Sequence, residues 1–210
     1  MKLILEDVWS DICSRHREDT LSYLMVKTAA VRCGVKPGEL LRVPGCYKGL
    51  NGLCPTFHQR LKDLALPYRV LTSDATGVLV LFYHPTALTT TLSHIETKTF
   101  LQSLGYSMES SPLELLETLV HRWQQAPAHE VGIFIGYPLA DVEGFMRGHR
   151  KRSISTLGDR WQVFSDLAQA RRLMRRHRRL ELRAAGICAK TTNTTERLKR
   201  IAAFSTKQYS

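Results

Sequence analysis

Four residues suited to acid–base chemistry lie close together in the segment HEVGIFIGYPLADVEGF, residues 129–145. His129 and Glu130 precede a short apolar run, Tyr137 follows it, and Asp141 comes four residues later. Imidazole, carboxyl and phenol groups can all serve as general acids or bases, so these residues are candidate catalytic groups of an enzyme. The alternative is structural: the carboxylates accept backbone hydrogen bonds, the tyrosine packs and the histidine is solvated.

The local pattern predicts how this segment folds. Residues 131–137, VGIFIGY, alternate in a way that favours a short strand, and PLADVEGFMRG favours a helix. Gly136 allows a sharp turn, and Pro138 suits the first turn of a helix. The segment is therefore predicted to form a strand-to-helix corner, where free backbone N–H groups can hold an anion.

A second set of residues has the chemistry of a zinc site. Cys33, Cys46, Cys54 and His58 have the spacing C-x12-C-x7-C-x3-H, and three thiolates with one imidazole are a known tetrahedral zinc set. The first two gaps are longer than in compact zinc fingers, and free cysteines are commonly buried as small apolar residues. Zinc is thus an alternative, and the favoured prediction is that the chain uses no metal or other cofactor.

Arginine dominates residues 171–183, RRLMRRHRRLELR, within a predicted long helix, residues 167–186, that ends at Gly186. Guanidinium groups bind phosphate and carboxylate through paired hydrogen bonds, so this helix is predicted to bind an acidic partner. The alternative is a solvated face neutralised by acidic residues elsewhere in the chain. The predicted partner-binding residues are Arg171, Arg172, Arg175, Arg176, Arg178 and Arg179.

The positive charge is confined to one end of the chain. The formal net charge is +11, yet residues 1–145 hold 13 Lys and Arg against 15 Asp and Glu. Residues 146–210 hold 17 against 4. Because the first part has a net charge of −2, it cannot neutralise the +13 of the second.

Composition predicts a reduced, cytoplasmic protein. The five cysteines are odd in number, irregularly spaced and without a CxxC pair, which argues against a disulfide framework. No apolar run reaches the roughly 18–20 residues that span a bilayer. The N-terminus turns acidic after four residues, unlike a signal peptide.

The remaining elements predict an α+β fold, a single domain with a small, mainly antiparallel sheet packed by helices, plus a basic C-terminal helix and tail. YRVLTS and VLVLFYH flank DATG as a hairpin, SSPLELLETLVHRWQQ is a helix with a capping box, and RWQVFSD is a late strand. VKPGELLRVPGCYKGLNGLCP is rich in Pro and Gly and is predicted to be mostly loop. The expected division is a domain at residues 1–185 and a basic tail, with a possible short helix, at 186–210.

Several stretches resemble one protein family. HEVGIFIGYPLADVEGF is similar to the central motif of an uncharacterised family of bacterial proteins, known only as a domain of unknown function. GVKPGELL, the hairpin and RWQVFSDLAQARRLM are similar in the same order, over roughly residues 25–180. The resemblance implies a real domain and a real motif, and it implies no activity.

Two functions follow from these patterns. The favoured one is a cytosolic, non-enzymatic protein that docks an acidic partner, a nucleic acid or an acidic redox protein, on helix 171–183. The alternative is a metal- or cofactor-dependent enzyme with its site at the 129–141 corner. No phosphate-binding loop, nucleophile elbow or dinucleotide fingerprint accompanies the corner.

Overall fold

The computed structural model of the chain describes residues 17–43, 48–49, 52–75, 77–148 and 162–204. Its strands are β1 (Gly38–Val43), β2 (Lys48–Gly49), β3 (Gly52–Leu53), β4 (Tyr68–Asp74) and β5 (Gly77–Tyr83). The helices that precede the β4–β5 hairpin are α1 (Arg17–Lys27), α2 (Ala29–Arg32) and α3 (Pro55–Asp63). The helices that follow it are α4 (Pro85–Ser93), α5 (Ile95–Ser103), α6 (Pro112–Gln125), α7 (Val131–Phe134), α8 (Leu139–Met146), α9 (Leu167–Lys190) and α10 (Thr194–Ala202).

Strand β5 is the central strand of an antiparallel sheet with the order β1–β5–β4. All seven of its residues are buried, because it has a neighbouring strand on each side and helices on both faces. Alternate residues of a strand point to opposite faces, so β5 contributes to two cores. Leu79, Leu81 and Tyr83 belong to one core, and Val78, Val80 and Phe82 belong to the other.

The two cores have different helical partners. The first core contains buried residues of α4, α5, α6, α7 and α8, and we call it the corner-side core. The second contains buried residues of α1, α2, α3, α9 and α10, and we call it the arginine-helix-side core. The basic helix α9 is thus part of the packed domain, since Leu180 and Ala184 are fully buried in it.

The fold class and the strongest local predictions are confirmed. The chain is α+β with a small antiparallel sheet, and β4 and β5 form the predicted hairpin. Helix α6 begins with the predicted capping box: the Ser111 Oγ accepts from the Glu114 N–H at 3.3 Å, and the Ser111 N–H donates to the Glu114 carboxylate at 2.6 Å. No helix of the described residues is long and apolar enough to span a membrane.

The loop prediction for the segment around Gly38 is wrong in part, because residues 38–43 form strand β1. Leu41 and Val43 are buried in the arginine-helix-side core, and the whole strand is paired with β5. Pairing with a distant strand outweighs the Pro and Gly residues nearby, which are only local signals. Further along the same segment, the described residues include the two-residue strands β2 and β3, which pair with each other.

Three further predictions for the second half of the chain need correction. Residues 131–134 form the short helix α7 and not a strand. All four residues are buried, and when a short run is apolar throughout, its hydrophobic pattern does not distinguish a helix from a strand. In the described part of the predicted late strand, residues 162–166, only an isolated bridge at Val163 is present. Helix α9 continues through Gly186 to Lys190. Gly186 does not adopt the positive φ with which a glycine often ends a helix.

Candidate functional site

The corner at residues 129–145 turns at Gly136, as the sequence predicts, although a helix and not a strand precedes it. Gly136 has φ of +84°, and a Cβ there would lie 2.7 Å from Pro37. Two features therefore disfavour any residue other than glycine at this position. The backbone is in the left-handed region, and the Lys36–Pro37 segment leaves no space for a Cβ. The chain then enters α8 directly after Pro138.

Glu130 faces away from the other candidate residues of the corner. Its carboxylate accepts hydrogen bonds from the Arg122 Nε at 2.7 Å and from the Tyr106 hydroxyl at 3.1 Å, and its side chain is 2% exposed. Arg122 also donates to the Leu104 carbonyl at 3.0 Å. Glu130 thus ties α6 to the loop that follows α5. Burial, together with the Glu130 charge, raises the pKa of the Tyr106 hydroxyl, which therefore stays protonated as a donor.

Asp141 connects the corner to the beginning of the arginine-rich helix. Its Oδ1 accepts from the backbone N–H groups of Phe164 and Ser165, both at 2.8 Å, and the residue is 2% exposed. Gly144, one turn later on α8, allows close contact, since a Cβ there would lie 2.6 Å from Phe164. Asp166 then caps α9 by accepting from Ala168 and Gln169. The carboxylate of Asp141 therefore helps to set where α9 starts.

His129, Tyr137 and Asp141 line one pocket of about 280 Å³, which we call the His129 pocket. The His129 ring packs edge-to-face on Phe145, with centroids 5.0 Å apart. Gly132 brings the walls together, because a Cβ there would lie 2.8 Å from Val142. The lining residues are His129, Val131, Gly132, Tyr137, Asp141, Val142, Phe145 and Gln162.

The pocket brings together three of the four predicted catalytic candidates and leaves out Glu130. Residues of these three types, with imidazole, phenol and carboxylate groups, are common in the linings of ligand-binding and catalytic sites. Val131, Val142 and Phe145 make the rest of the lining mainly apolar. The arrangement is thus suited to holding a small molecule against a few polar groups.

Of the candidate zinc ligands, Cys33 and His58 have hydrogen-bond partners elsewhere in the structure. Cys46 lies outside the described residues, and within them no cluster of three or more His, Cys, Asp or Glu could hold a metal. The Cys33 thiol donates to the Ile201 carbonyl at 3.4 Å, and burial raises its pKa to about 11. The His58 Nδ1 lies 2.6 Å from the Tyr68 hydroxyl. A protonated thiol is a poor metal ligand, since zinc binds the thiolate.

Helix α9 presents its arginines on the side opposite its buried face. Arg172, Arg175 and Arg179 are exposed, and at about 100° per residue they lie within roughly 60° of one another. None of them has an acidic partner among the described residues. We call these three residues the arginine face. The buried face consists of Ala170, Met174, His177, Leu180, Glu181 and Ala184.

The other predicted partner-binding arginines flank this face. Arg171 and Arg176 are half-buried, whereas Arg178 is exposed and lies 3.7 Å from the Glu181 carboxylate. Glu181 is 2% exposed and also lies 3.9 Å from the Lys27 ammonium group. Glu181 therefore lies on the buried face of the helix with the cations of Lys27 and Arg178 near its carboxylate.

A family model described as "Protein of unknown function (DUF3793)" matches residues 24–198. The chain belongs to this family. The DUF3793 region includes the His129 pocket and the arginine face, and it ends within α10. No curated protein matches the chain, and no solved structure matches it.

The chain also contains a buried ion pair that the sequence patterns do not indicate. Lys36 is 2% exposed, and its Nζ lies 2.7 Å from the Glu39 carboxylate. In the sequence, Lys36 belongs to GVKPGELL, one of the stretches that are similar to the family. An available signal was the spacing of three residues between a lysine and a glutamate, but that pattern is common on exposed surfaces. Four of the remaining lining residues of the His129 pocket lie within the motif at residues 129–145, and the fifth, Gln162, has no sequence signal.

Proposed function

We propose that this DUF3793 protein is a non-enzymatic, cytoplasmic protein that binds nucleic acid through the arginine face of α9. The observation that carries the proposal is the position of Arg172, Arg175 and Arg179: exposed, without an acidic partner among the described residues, and held on a helix that is packed into a core. Groups held in this way lose less conformational freedom on binding than the same arginines in a flexible tail.

The charge pattern favours nucleic acid over an acidic protein. Protein interfaces usually have an apolar centre with little charge, surrounded by a polar rim. The arginine face is charged at its centre, and its apolar neighbour Leu182, 56% exposed, follows it along the helix. A row of phosphates presents continuous negative charge that suits such a surface.

The expected binding is not strongly sequence-dependent. Asn and Gln are the side chains that read adenine through paired hydrogen bonds, and helix α9 contains one of them, Gln169, which is too few to read a sequence. Arginine can read guanine, but arginines spread along one face contact the backbone phosphates first. We therefore expect similar affinity for duplexes of different sequence and a steep decrease of affinity with salt.

The test is fluorescence anisotropy of the full chain with a labelled random-sequence DNA duplex, repeated at several NaCl concentrations. We expect the variant Arg172→Gln/Arg175→Gln/Arg179→Gln to bind at least about tenfold more weakly. Its slope of log K against log salt should be shallower by about 2–3, because each phosphate contact contributes about 0.9. Choosing exposed residues avoids disturbing the half-buried Arg171 and Arg176.

The matched control is Lys62→Gln/Arg147→Gln/Lys199→Gln, which removes the same charge from exposed residues outside α9. Equal losses in both variants would mean that binding follows net charge and that the arginine face has no special role. A pull-down from native lysate separates the two partner classes: a partner that survives nuclease treatment and is lost in the arginine variant would be an acidic protein, contradicting the proposal.

A further inference from the structure

We infer that the nucleic acid bound by this chain is double-stranded, and that its binding surface extends along α9 from the arginine face to Lys190. The inference rests on the proposed function and narrows it in two respects, the class of nucleic acid and the extent of the surface. Both depend on which residue types occupy one side of a single long helix.

The arginine face continues towards the C-terminal end of α9. Lys190 is exposed, and at about 100° per residue it points in the same direction as Arg172. Arg183 lies between them on the same side, and its guanidinium carbon is 4.7 Å from the centroid of the Phe204 ring. These residues lie within about 80° of one another around the helix. We call this set the basic row: Arg172, Arg175, Arg179, Arg183 and Lys190.

The basic row is long and is not interrupted by acidic residues. From Arg172 to Lys190 the helix rises about 27 Å, at about 1.5 Å per residue. The one acidic residue of α9, Glu181, lies on the buried face and is 2% exposed. Lys190 also lies in the last turn, where the helix dipole favours a cation. The dipole acts only within that turn, so it does not account for the cations along the rest of the row.

Charge density and stiffness favour a duplex as the partner of this row. Double-stranded DNA carries one charge for about every 1.7 Å of its axis, so a length of about 27 Å, or about 8 base pairs, presents about 16 phosphates on its two strands. The duplex is also stiff, with a persistence length of about 150 base pairs, so its phosphates are already in place when a rigid helix approaches. A flexible single strand has to be ordered along the row, which costs conformational entropy.

Helix α9 lacks the aromatic side chains that offset this cost in proteins that bind single strands. Such proteins stack successive bases on aromatic rings beside a basic groove. Helix α9 contains no Phe, Tyr or Trp, and the Phe204 ring beside the row packs against Arg183. The basic row is therefore suited to contact with phosphates and not to stacking with unpaired bases.

Three labelled probes with similar numbers of phosphates test the class of nucleic acid by fluorescence anisotropy of the full chain. They are a DNA hairpin with a stem of about 12 base pairs, an RNA hairpin with the same stem, and an oligothymidine of about 24 nucleotides. We expect at least one hairpin to bind at least about tenfold more tightly than oligothymidine, and the tighter hairpin identifies the kind of duplex. Oligothymidine that binds as tightly as both hairpins overturns the inference.

The substitution Lys190→Gln tests the extent of the surface, because Lys190 is the member of the row farthest from the arginine face. We expect it to weaken binding of the DNA hairpin by about threefold, and to make the slope of log K against log salt shallower by about 0.9, the contribution of one phosphate contact. Lys190→Arg keeps the charge and should retain the natural affinity and slope. Lys62→Gln, at an exposed lysine of α3, is the matched control and should change neither. Equal effects of Lys190→Gln and Lys62→Gln contradict a surface that reaches Lys190.

Failure of this inference is distinguishable from failure of the proposed function. If oligothymidine binds as tightly as the hairpins and Arg172→Gln/Arg175→Gln/Arg179→Gln weakens all three probes, nucleic-acid binding by the arginine face stands and the duplex inference is wrong. If no probe binds, or if that variant binds the probes as the natural chain does, the proposed function is wrong and the inference is wrong with it.

Discussion

Glu130 and Lys36 are nearly fully buried charged residues, and each lies against a group of opposite charge. The Glu130 carboxylate is held by Arg122 and Tyr106, and the Lys36 ammonium group lies 2.7 Å from Glu39. A buried charge without a partner would strongly destabilise the fold, so such pairs are required wherever the charge occurs. The sequence made Glu130 a catalytic candidate. Its contacts with Arg122 and Tyr106 instead indicate a structural role, which we call bracing: it holds α6 to the loop after α5.

Replacing Glu130 by Gln should lower the free energy of unfolding by about 1–3 kcal/mol, because the amide accepts weaker hydrogen bonds and offers N–H groups to the donors of Arg122 and Tyr106. Urea unfolding of the full chain measures the change. Glu96→Gln, at an exposed acid of α5, is the control and should change stability by less than about 0.5 kcal/mol. Similar values for the two variants would contradict the bracing role.

The Cys33 thiol is a second residue whose environment is set by packing. Burial favours its neutral form and raises its pKa to about 11, so the reactive thiolate appears only at high pH. In a variant with Cys33 as its only cysteine, the rate of alkylation by iodoacetamide should increase with pH with a midpoint near 11 in the folded protein. In denaturant the midpoint should fall to about 8.5, the value for a free thiol. A folded-state midpoint near 8.5 would show that burial does not control this group.

At the scale of elements, α8 and α9 are joined by the contact of Asp141 with the backbone of Phe164 and Ser165. The corner therefore helps to position the basic helix, because Asp141 binds the backbone just before the start of α9. On α9 itself, arginines three or four residues apart repel each other, and every such pair includes Arg172, Arg175 or Arg179. The helix tolerates this repulsion because its opposite face is buried in a core.

The variant Arg172→Gln/Arg175→Gln/Arg179→Gln should consequently be more stable than the natural chain. We expect the free energy of unfolding at low salt to increase by about 1–3 kcal/mol, from a few tenths for each of the seven Arg–Arg pairs that are removed. The gain should shrink as NaCl is raised, since salt screens the repulsion between exposed charges. Thermal unfolding at two salt concentrations measures it. Unchanged or lower stability would show that the arginines are not under electrostatic strain.

At the scale of the whole molecule, β5 joins two cores that share no helix. Its alternate residues pack into the corner-side core and the arginine-helix-side core, so neither core is complete without this strand. Loss of packing on one face removes the support that the strand gives to the other. The His129 pocket and the arginine face thus lie on parts of one cooperative structure.

Leu116→Ala in the corner-side core and Leu61→Ala in the arginine-helix-side core should each lower the free energy of unfolding by about 2–5 kcal/mol, because both leucines are fully buried. Amide hydrogen exchange checks whether the effect is shared: each variant should reduce protection in both α6 and α3, which lie in different cores. Loss of protection limited to the helix that carries the substitution would mean that the cores unfold separately.

Local patterns in the sequence were enough to predict the fold class and the elements with strong local signals. The capping box of Ser111 and Glu114 and the turn between β4 and β5 depend on residues a few positions apart, so their signals are contained in the sequence. The turn at Gly136 was predictable for the same reason. The uneven distribution of charge is also a property of the sequence and needs no structure.

Only the tertiary structure decided which side chains meet. Residues 131–135 are covered on every side, so their apolar run has no period, and contacts with distant segments made α7 a helix. Strand β1 forms because β5, about forty residues later, pairs with it. The partners of Glu130 and Asp141 and the walls of the His129 pocket likewise come from several elements. The sequence determined which groups are present and where charge accumulates, whereas long-range packing determined which groups share a site, because contact between distant residues leaves no local pattern.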